Sequence, residues 1–265
     1  MRRSDIYPVK TVYYKDERND EFSDARIKAR PVDDTYPYLS QSPLWPLGRF
    51  LAYRLFATPL AFLYTKLILG YRVKGRRVLR GMRGRGYFLF ANHTQPTGDA
   101  FMPHVAMFPK SAYTVVHPAN ISMPVLGRIT PFLGAIPTPD GHRGIRPFRH
   151  AIETRIRQGH AVILYPEAHI WPYYTGIRPF AATSMSFPAD LGVASFTMTT
   201  TYQRRRFFKK PRAVSYIDGP FYPDESLPPR ERAKDLRDRM HRVMTERARL
   251  SNCEYIRYIK EDTTN

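Results

Sequence analysis

Two polar clusters in the sequence contain the residue types that general acid–base chemistry uses. The first, "NHTQPTGD", follows the apolar run Tyr87–Ala91 and contains His93 and Asp99. The second follows the apolar run "AVILY" (161–165) and contains Glu167. A histidine held by a carboxylate can remove a proton from a hydroxyl, and a second carboxylate can fix a substrate by hydrogen bonding. The three side chains therefore predict a site for proton transfer.

Each of these residues also has a purely structural interpretation. His93 can be a hydrogen-bonded structural histidine at a strand end, Asp99 can be the N-cap of a helix, and Glu167 can cap the segment after it. Five residues separate His93 from Asp99, a gap that does not bring both side chains to one face of a regular helix. Pairing therefore requires a turn, and Pro96 and Gly98 in "QPTG" are residues that turns favour.

Short apolar segments alternate with helical patterns, and these elements must position the candidate residues. Strands are predicted at 87–91, 112–116, 161–165, 194–202 and 212–218. Helices are predicted near 99–108, 121–130, 145–158, 180–191 and 229–250. This alternation predicts an α/β fold, a mostly parallel sheet flanked by helices. Reactive groups in such folds gather at the carboxyl ends of the strands, so His93 and Glu167 are expected to face one cleft.

The sequence before the predicted sheet divides into two regions. Residues 1–42 are polar and predict an N-terminal arm, whereas residues 43–71 are apolar and aromatic and carry three interrupting cations. The longest charge-free run in the second region is shorter than the roughly 20 apolar residues of a spanning helix. We predict that 43–71 forms a membrane-interfacial helical hairpin meeting at Pro59, with residues 72–265 as the main domain. A buried hairpin of an ordinary soluble domain is the alternative.

Charge and cysteine content restrict the partners and the compartment. The chain has 42 Lys and Arg against 23 Asp and Glu, a formal net charge of +19, which predicts an anionic partner. Cys253 is the only cysteine, which excludes an internal disulfide and a cysteine metal cluster. No apolar stretch follows the basic N-terminus, so no secretory signal is expected. These features predict a peripheral or monotopic protein on the cytoplasmic face of a membrane.

Two groups of cations are candidates for contacts with phosphate. Arg143, Arg146 and Arg149 recur every third residue, so a helix would place them along one side, suited to a phosphorylated substrate. A solvated basic face is the alternative. The segment "QRRRFFKKPR" (203–212) combines six cations with two phenylalanines, a composition suited to anionic headgroups. An exposed hairpin loop is the alternative there.

The order of these blocks resembles the motifs of the glycerolipid acyltransferase family, whose members acylate glycerol-3-phosphate and lysophospholipids. Asn92, His93 and Asp99 correspond to the first family block, residues 134–137 to the second, and residues 165–167 to the third. The similarity extends from about residue 44 to about residue 220, which is most of the chain.

The chain departs from the family pattern at four places. The His–Asp gap has five residues in place of four, and Ala168 and His169 replace Gly-Thr-Arg in the third block. The fourth block, "ASFTMTT", lacks its proline. Asp140 stands where the arginine of the second block is expected, and the nearest cation is Arg143. The identity of the acceptor therefore cannot be transferred from the family.

The resemblance implies acyl transfer in phospholipid biosynthesis, from an acyl-CoA or acyl-acyl carrier protein donor to a lysophospholipid or glycerol-phosphate acceptor. It implies that His93 is the general base and that Asp99 orients and stabilises its imidazole. Glu167 is expected to hydrogen-bond another acceptor hydroxyl, and Arg143 or Arg146 to contact an acceptor phosphate. No metal or other cofactor is expected. The expected partners are the two substrates and an anionic membrane surface, without nucleic acid.

Two other functions stay open on the sequence alone. A non-enzymatic protein that binds anionic lipid or nucleic acid would explain the charge, but not the His-Asp and Pro-Glu blocks, and no standard nucleic-acid-binding signature is present. A thioesterase or esterase would use the same base on water. The absence of a G-x-S-x-G motif disfavours a serine hydrolase.

Overall fold

A seven-stranded sheet and a separate two-stranded sheet form the framework of the protein, as seen in a computed structural model that describes residues 7–22 and 27–261. The strands are β1 (Lys10–Tyr14), β2 (Arg72–Lys74), β3 (Tyr87–Ala91), β4 (Ala112–Val116), β5 (Ala135–Pro137), β6 (Ala161–Leu164), β7 (Ser195–Gln203), β8 (Arg212–Phe221) and β9 (Ile256–Lys260). The larger sheet has the order β2-β8-β7-β3-β6-β4-β5. Its neighbours are parallel except for β7 and β8. The predicted α/β fold with a mostly parallel sheet is confirmed.

Helices cover both faces of the larger sheet. They are α1 (Trp45–Arg49), α2 (Thr58–Leu67), α3 (Met102–Met107), α4 (Ala119–Ser122), α5 (Leu126–Leu133), α6 (His142–Arg157), α7 (Ser186–Leu191) and α8 (Pro229–Ala248). Residues from α2 and α3 pack with alternate side chains of β3, including Leu89, in one apolar cluster. Residues from α6, α7 and α8 pack with Phe88 and Phe90 in a second cluster. Alternate side chains of β3 therefore belong to two separate hydrophobic cores, one on each face of the sheet.

Strand β3 is the central element that positions the candidate site. All five of its residues are buried, and so are all four of β6, as expected for parallel strands covered on both faces. The register of this parallel pair places Phe90 beside Leu164. The segments that begin at Asn92 and Tyr165 consequently leave the same edge of the sheet next to each other.

The predicted hairpin that meets at Pro59 is wrong, because residues 45–67 form one continuous helical segment. A π-helical stretch, Phe50–Ala57, joins α1 to α2. Thr58 keeps right-handed helical backbone angles, and both its N–H and its hydroxyl donate to the carbonyl of Tyr53. Pro59 stands in the first turn of α2, and the wide π-helical turns before it leave room for its ring. Across 7–22 and 27–261, no helix combines the length and the apolar character needed to cross a membrane.

Arg49 holds the first half of this helical segment against the sheet. Its guanidinium donates to the carbonyls of Phe132 and Ala112 and to the hydroxyl of Ser111 at 3.0 to 3.1 Å. Ala112 opens β4, so this anchor lies at the amino edge of the sheet. The chain after α2 reaches the opposite edge, where Leu69 is buried beside Gly98.

The region predicted as a polar arm contacts the rest of the protein along much of its length. Strand β1 pairs in parallel with β9, and Tyr14 and Phe22 pack against the ring of Trp171. Val32 is completely buried, and its N–H donates to the carboxylate of Asp140 at 2.8 Å. These contacts bring the two-stranded sheet onto the loop that follows β6.

Candidate active site

His93 and Asp99 lie together beyond the carboxyl end of β3. His93 Nδ1 is 2.8 Å from Asp99 Oδ2, and the same oxygen accepts the N–H of Gln95 at 2.9 Å. A quarter of the His93 side chain (25%) is exposed, against 4% for Asp99. An ionised carboxylate only accepts hydrogen bonds, so Nδ1 carries the proton toward Asp99. This leaves Nε2 with its lone pair as the nitrogen that can serve as a base.

A compact turn closes the five-residue gap between the two side chains. The N–H of Asp99 donates to the carbonyl of Gln95 at 3.1 Å, and a short 3-10 helix begins at Gly98. Gly98 does not use its freedom to adopt a left-handed conformation. A Cβ at this position would lie 2.8 Å from Leu69 Cδ1 and 3.1 Å from the Gln95 side chain. Any larger residue here would have to displace the Leu69 side chain, so the close packing favours glycine.

Tyr165 supports the imidazole from the neighbouring strand. Its ring stacks on His93 with 4.5 Å between ring centroids and 29° between planes. Its hydroxyl donates to the backbone carbonyl of Asp99 at 2.6 Å. One side chain therefore contacts both members of the pair and restricts the orientation of the histidine ring.

The backbone around His93 is also fixed by neighbouring chain segments. The backbone N–H of Trp171 donates to the carbonyl of His93 at 3.1 Å, and the backbone N–H of Tyr173 donates to that of Thr94 at 2.7 Å. The side chain of Asn92 bonds to both the N–H and the carbonyl of Thr200 on β7. The site is thus held by β3, β7 and the loop after β6 together.

Glu167 is enclosed beside this site and forms an ion pair with Arg178. Neither side chain has any exposed surface, and the pair is joined at 3.3 Å. Burial raises the pKa of Glu167 to about 6, although Arg178 and the backbone N–H of His93 both act to lower it. In this arrangement the carboxylate is not open to a substrate hydroxyl, contrary to the expectation from the sequence, because it faces Arg178 and the backbone of His93.

Arg143 and Arg146 lie on α6 at some distance from His93. Helix α6 begins after β5, the outermost strand, and β4 and β6 separate β5 from β3. At about 4.8 Å per strand this is a lateral offset of roughly 15 Å along the carboxyl edge of the sheet. Both arginines are exposed, and within the described residues neither forms a salt bridge. Arg149 differs, since it pairs with Glu153 and Asp190.

Three residues of the site were not predicted from the sequence. In the sequence, Tyr165 is only a member of the third block, and its aromatic ring is the one local feature that could indicate packing against His93. Trp171 and Arg178 follow in a loop without periodicity, where nothing in the local sequence connects them to His93. Their roles depend on how the loop after β6 folds back, which is a tertiary feature.

The close packing at Gly98 predicts that a side chain there will destabilise the turn. Gly98→Ala should displace Leu69 or the turn, because 2.8 Å is shorter than real Cβ contacts. We expect a loss of roughly 1–3 kcal/mol in unfolding free energy, the usual cost of overpacking, and looser pairing of His93 with Asp99.

Denaturant unfolding checks the stability, and the Nδ1 proton resonance of His93 checks the pairing. Gly81→Ala is the matched control, because nothing lies within 4 Å of its added Cβ. Leu69→Ala removes a buried side chain and is itself destabilising, but Gly98→Ala should cost less in that background than in the wild type, because the space is then free. Equal stability of the two glycine variants would show that the contact is not restrictive.

Comparisons with known proteins give similarities to solved structures. No protein-family model matches the sequence, and no curated protein matches it. Among solved structures, the crystal structure of the 1-acyl-sn-glycerophosphate (LPA) acyltransferase PlsC from Thermotoga maritima is similar, with 15% sequence identity and a TM-score of 0.49. The similarity covers 77% of this chain and 94% of that chain. A similarity of this size carries no conclusion about the reaction or the substrates of this chain.

Proposed function

We propose that the protein is a membrane-associated acyltransferase, which moves a fatty acyl group from a thioester donor to the hydroxyl of a lysophospholipid or glycerol-phosphate acceptor. The observation that carries the proposal is the 2.8 Å bond between His93 Nδ1 and Asp99 Oδ2 at a sheet edge. It leaves Nε2 of a partly exposed histidine as a base. The three sequence blocks in the family order support acyl transfer as the reaction.

In the proposed reaction, His93 Nε2 accepts the proton of the acceptor hydroxyl while its oxygen attacks the thioester carbonyl. A carbon–oxygen bond forms and gives a tetrahedral intermediate. Its collapse breaks the carbon–sulfur bond, and the leaving thiolate takes the proton from the imidazolium, which returns His93 to the neutral state. Asp99 stabilises the imidazolium between the two transfers and keeps Nε2 directed toward the acceptor.

Glu167 and Arg178 take a positioning role in this proposal. The enclosed carboxylate faces the backbone N–H of His93, and the guanidinium of Arg178 also donates to the carbonyls of Glu167 and His169. The pair therefore fixes the backbone from which the imidazole projects. Arg143 and Arg146 remain the proposed contacts for an acceptor phosphate, because both are exposed cations at the same sheet edge.

The helical segment 45–67 is proposed to lie on the membrane. Its outer surface carries large apolar side chains that are more than half exposed: Leu47, Phe50, Leu55, Phe56, Leu60, Leu63 and Leu67. Exposed apolar patches of this kind mark interaction sites. At the end of the segment, Phe207 and Phe208 are 72% and 60% exposed, with Arg206 and Arg205 stacked on their rings. Apolar side chains flanked by cations suit one leaflet of an anionic membrane, proposed to be its cytoplasmic face.

The catalytic pair is tested by comparing the acyl-transfer rates of the two single variants with the rate of the double variant. His93→Ala should lower acyl transfer by about a hundred- to ten-thousand-fold, the usual cost of removing a general base. Asp99→Asn should also be severe, and the double variant should be scarcely worse than His93→Ala, since the two act as one unit.

The assay follows a labelled acyl thioester with a panel of lysophospholipids and glycerol-3-phosphate, and it scores acylated acceptor and free fatty acid separately. His150→Ala, an exposed histidine on α6, is the control and should keep the full rate. A correctly folded His93→Ala protein with the wild-type rate would remove the pair from catalysis. Free fatty acid as the only product would favour a thioesterase.

The phosphate contact is tested by kinetics with a phosphorylated acceptor. Arg143→Ala or Arg146→Ala should raise the acceptor KM more than it lowers kcat, because a remote phosphate contact contributes equally to ground and transition states. Arg157→Ala, an exposed cation at the other end of α6, should leave KM unchanged. If neither Arg143→Ala nor Arg146→Ala alters KM, these residues do not contact the acceptor.

The membrane contact is tested by flotation with neutral phosphatidylcholine vesicles. The triple variant Phe56→Ser/Leu60→Ser/Leu63→Ser should lose binding, because each buried apolar side chain is worth roughly 1.5–3 kcal/mol. The control Tyr222→Ser/Leu250→Ser/Ile259→Ser changes exposed apolar residues elsewhere and should bind like the wild type. Equal binding of the two triple variants would refute attachment through the helical segment.

A further inference from the structure

A cavity lies at the amino edge of the sheet, at the end of β3 opposite to His93. It has a volume of about 560 Å³. Its walls come from the segments that precede β3, β4 and β6, together with the 3-10 helix Arg76–Met82. Five residues of β3, at about 3.3 Å each, separate it from the candidate active site by roughly 16 Å. The cavity is therefore not part of that site.

The cavity is strongly cationic. Arg76, Arg77, Arg80, Arg83 and Lys110 line it, and no carboxylate does. The surrounding segment, "RVKGRRVLRGMRGRG" (72–86), contains seven cations and no acid. Within the described residues none of the four lining arginines forms a salt bridge, although the ion pairs elsewhere show that arginines in this protein readily find carboxylates. An anion from outside the chain would relieve their mutual repulsion.

Lys110 fixes the floor of the cavity. Its Nζ donates to the carbonyls of Met82 and Arg85 at 3.0 and 2.6 Å and lies over the ring of Tyr87. Burial lowers the pKa of Lys110. The lysine thus ties the cationic segment to the start of β4, and the exposed arginines stand around a rigid base.

Apolar side chains form another part of the lining, beside the polar Ser111, Gln158 and His160, and one of the apolar side chains touches the helical segment 45–67. Leu79, Met82, Met107 and Phe108 supply these apolar walls. The Phe108 ring contacts that of Phe62 on α2, with centroids 5.4 Å apart. Arg54 lies over the same Phe108 ring and donates to the carbonyl of Pro109. The cavity and the exposed apolar helix surface are therefore neighbours.

We propose that this cavity binds the headgroup phosphate of an anionic phospholipid in the membrane that the helical segment contacts. Guanidinium groups match phosphate oxygens with paired hydrogen bonds, and the apolar walls suit the glycerol and the first acyl carbons. A soluble phosphate ester shares the headgroup chemistry, but it would gain nothing from apolar walls beside an exposed apolar helix. The inference rests on the proposed membrane contact and is independent of acyl transfer.

The test compares flotation with vesicles of phosphatidylcholine alone and of phosphatidylcholine with phosphatidylglycerol. Each basic residue at an anionic surface contributes about fivefold, so Arg76→Gln/Arg80→Gln/Arg83→Gln should lose roughly a hundredfold of the affinity gained from the anionic lipid. The control Arg230→Gln/Lys234→Gln/Arg242→Gln removes the same charge from exposed positions of α8, on the opposite face of the sheet, and should lose less than about fivefold. Circular dichroism confirms that both triple variants are folded.

Each outcome bears on one statement. Anionic lipid is expected to increase the vesicle affinity of the wild type. If the cavity variant keeps this increase, or if both triple variants lose it equally, the headgroup site is overturned. Saturable binding of glycerol-3-phosphate by calorimetry that disappears in the cavity variant, with unchanged flotation, also overturns it in favour of a soluble ligand. Binding to neutral vesicles tests only the membrane contact of the helical segment, and acyl-transfer rates test only the proposed reaction. A negative result for either proposal is therefore distinguishable from a negative result for the headgroup site.

Discussion

The parallel pairing of β3 with β6 is the constraint on which both candidate sites depend. Its register sets Phe90 beside Leu164, so the chain leaves both strands at one edge, where His93 meets Tyr165. The same pairing brings the segments before the two strands together at the other edge, where they form walls of the cationic cavity. A shift by one residue would turn the two apolar faces of β3 over and move the imidazole of His93 away from the ring of Tyr165. Burial on both faces makes such a shift costly.

The enclosed pair of Glu167 and Arg178 illustrates what it costs to hold such a site. Removing two charges from water opposes folding, and the raised pKa of Glu167 records that penalty. Arg178 offsets part of it with further hydrogen bonds to backbone carbonyls and by lying 5.0 Å from the ring of Trp171. Such pairs add little net stability compared with apolar residues of similar size. What this pair supplies is a fixed loop around the backbone of His93.

The strands and the site pair could be predicted because their signals are local. The short, mainly apolar runs at 87–91 and 112–116 match β3 and β4 residue for residue, since such segments between turn residues have few other structures available. His93 and Asp99 are six residues apart, so a single turn is enough to join them. The sequence predicts a hairpin in place of the helical segment 45–67, because proline usually breaks a helix. The π-helical turns that accommodate Pro59 have no recognisable signal in the sequence. The enclosure of Glu167 depends on Arg178, whose position follows from tertiary packing.

The pairing of β1 with β9 joins Lys10 to Ile256, nearly the whole length of the described chain. Trp171 lies between this pair and His93, since its ring packs on Tyr14 and Tyr258 and its backbone N–H donates to the His93 carbonyl. During synthesis, β3, β6 and β7 can assemble as soon as they emerge, but the support for Trp171 is incomplete until β9 has been made. Closing so long a loop is also slow relative to the local contacts of the sheet. The nascent chain is therefore expected to form the sheet before the packing around Trp171, which supports the backbone of His93, is complete.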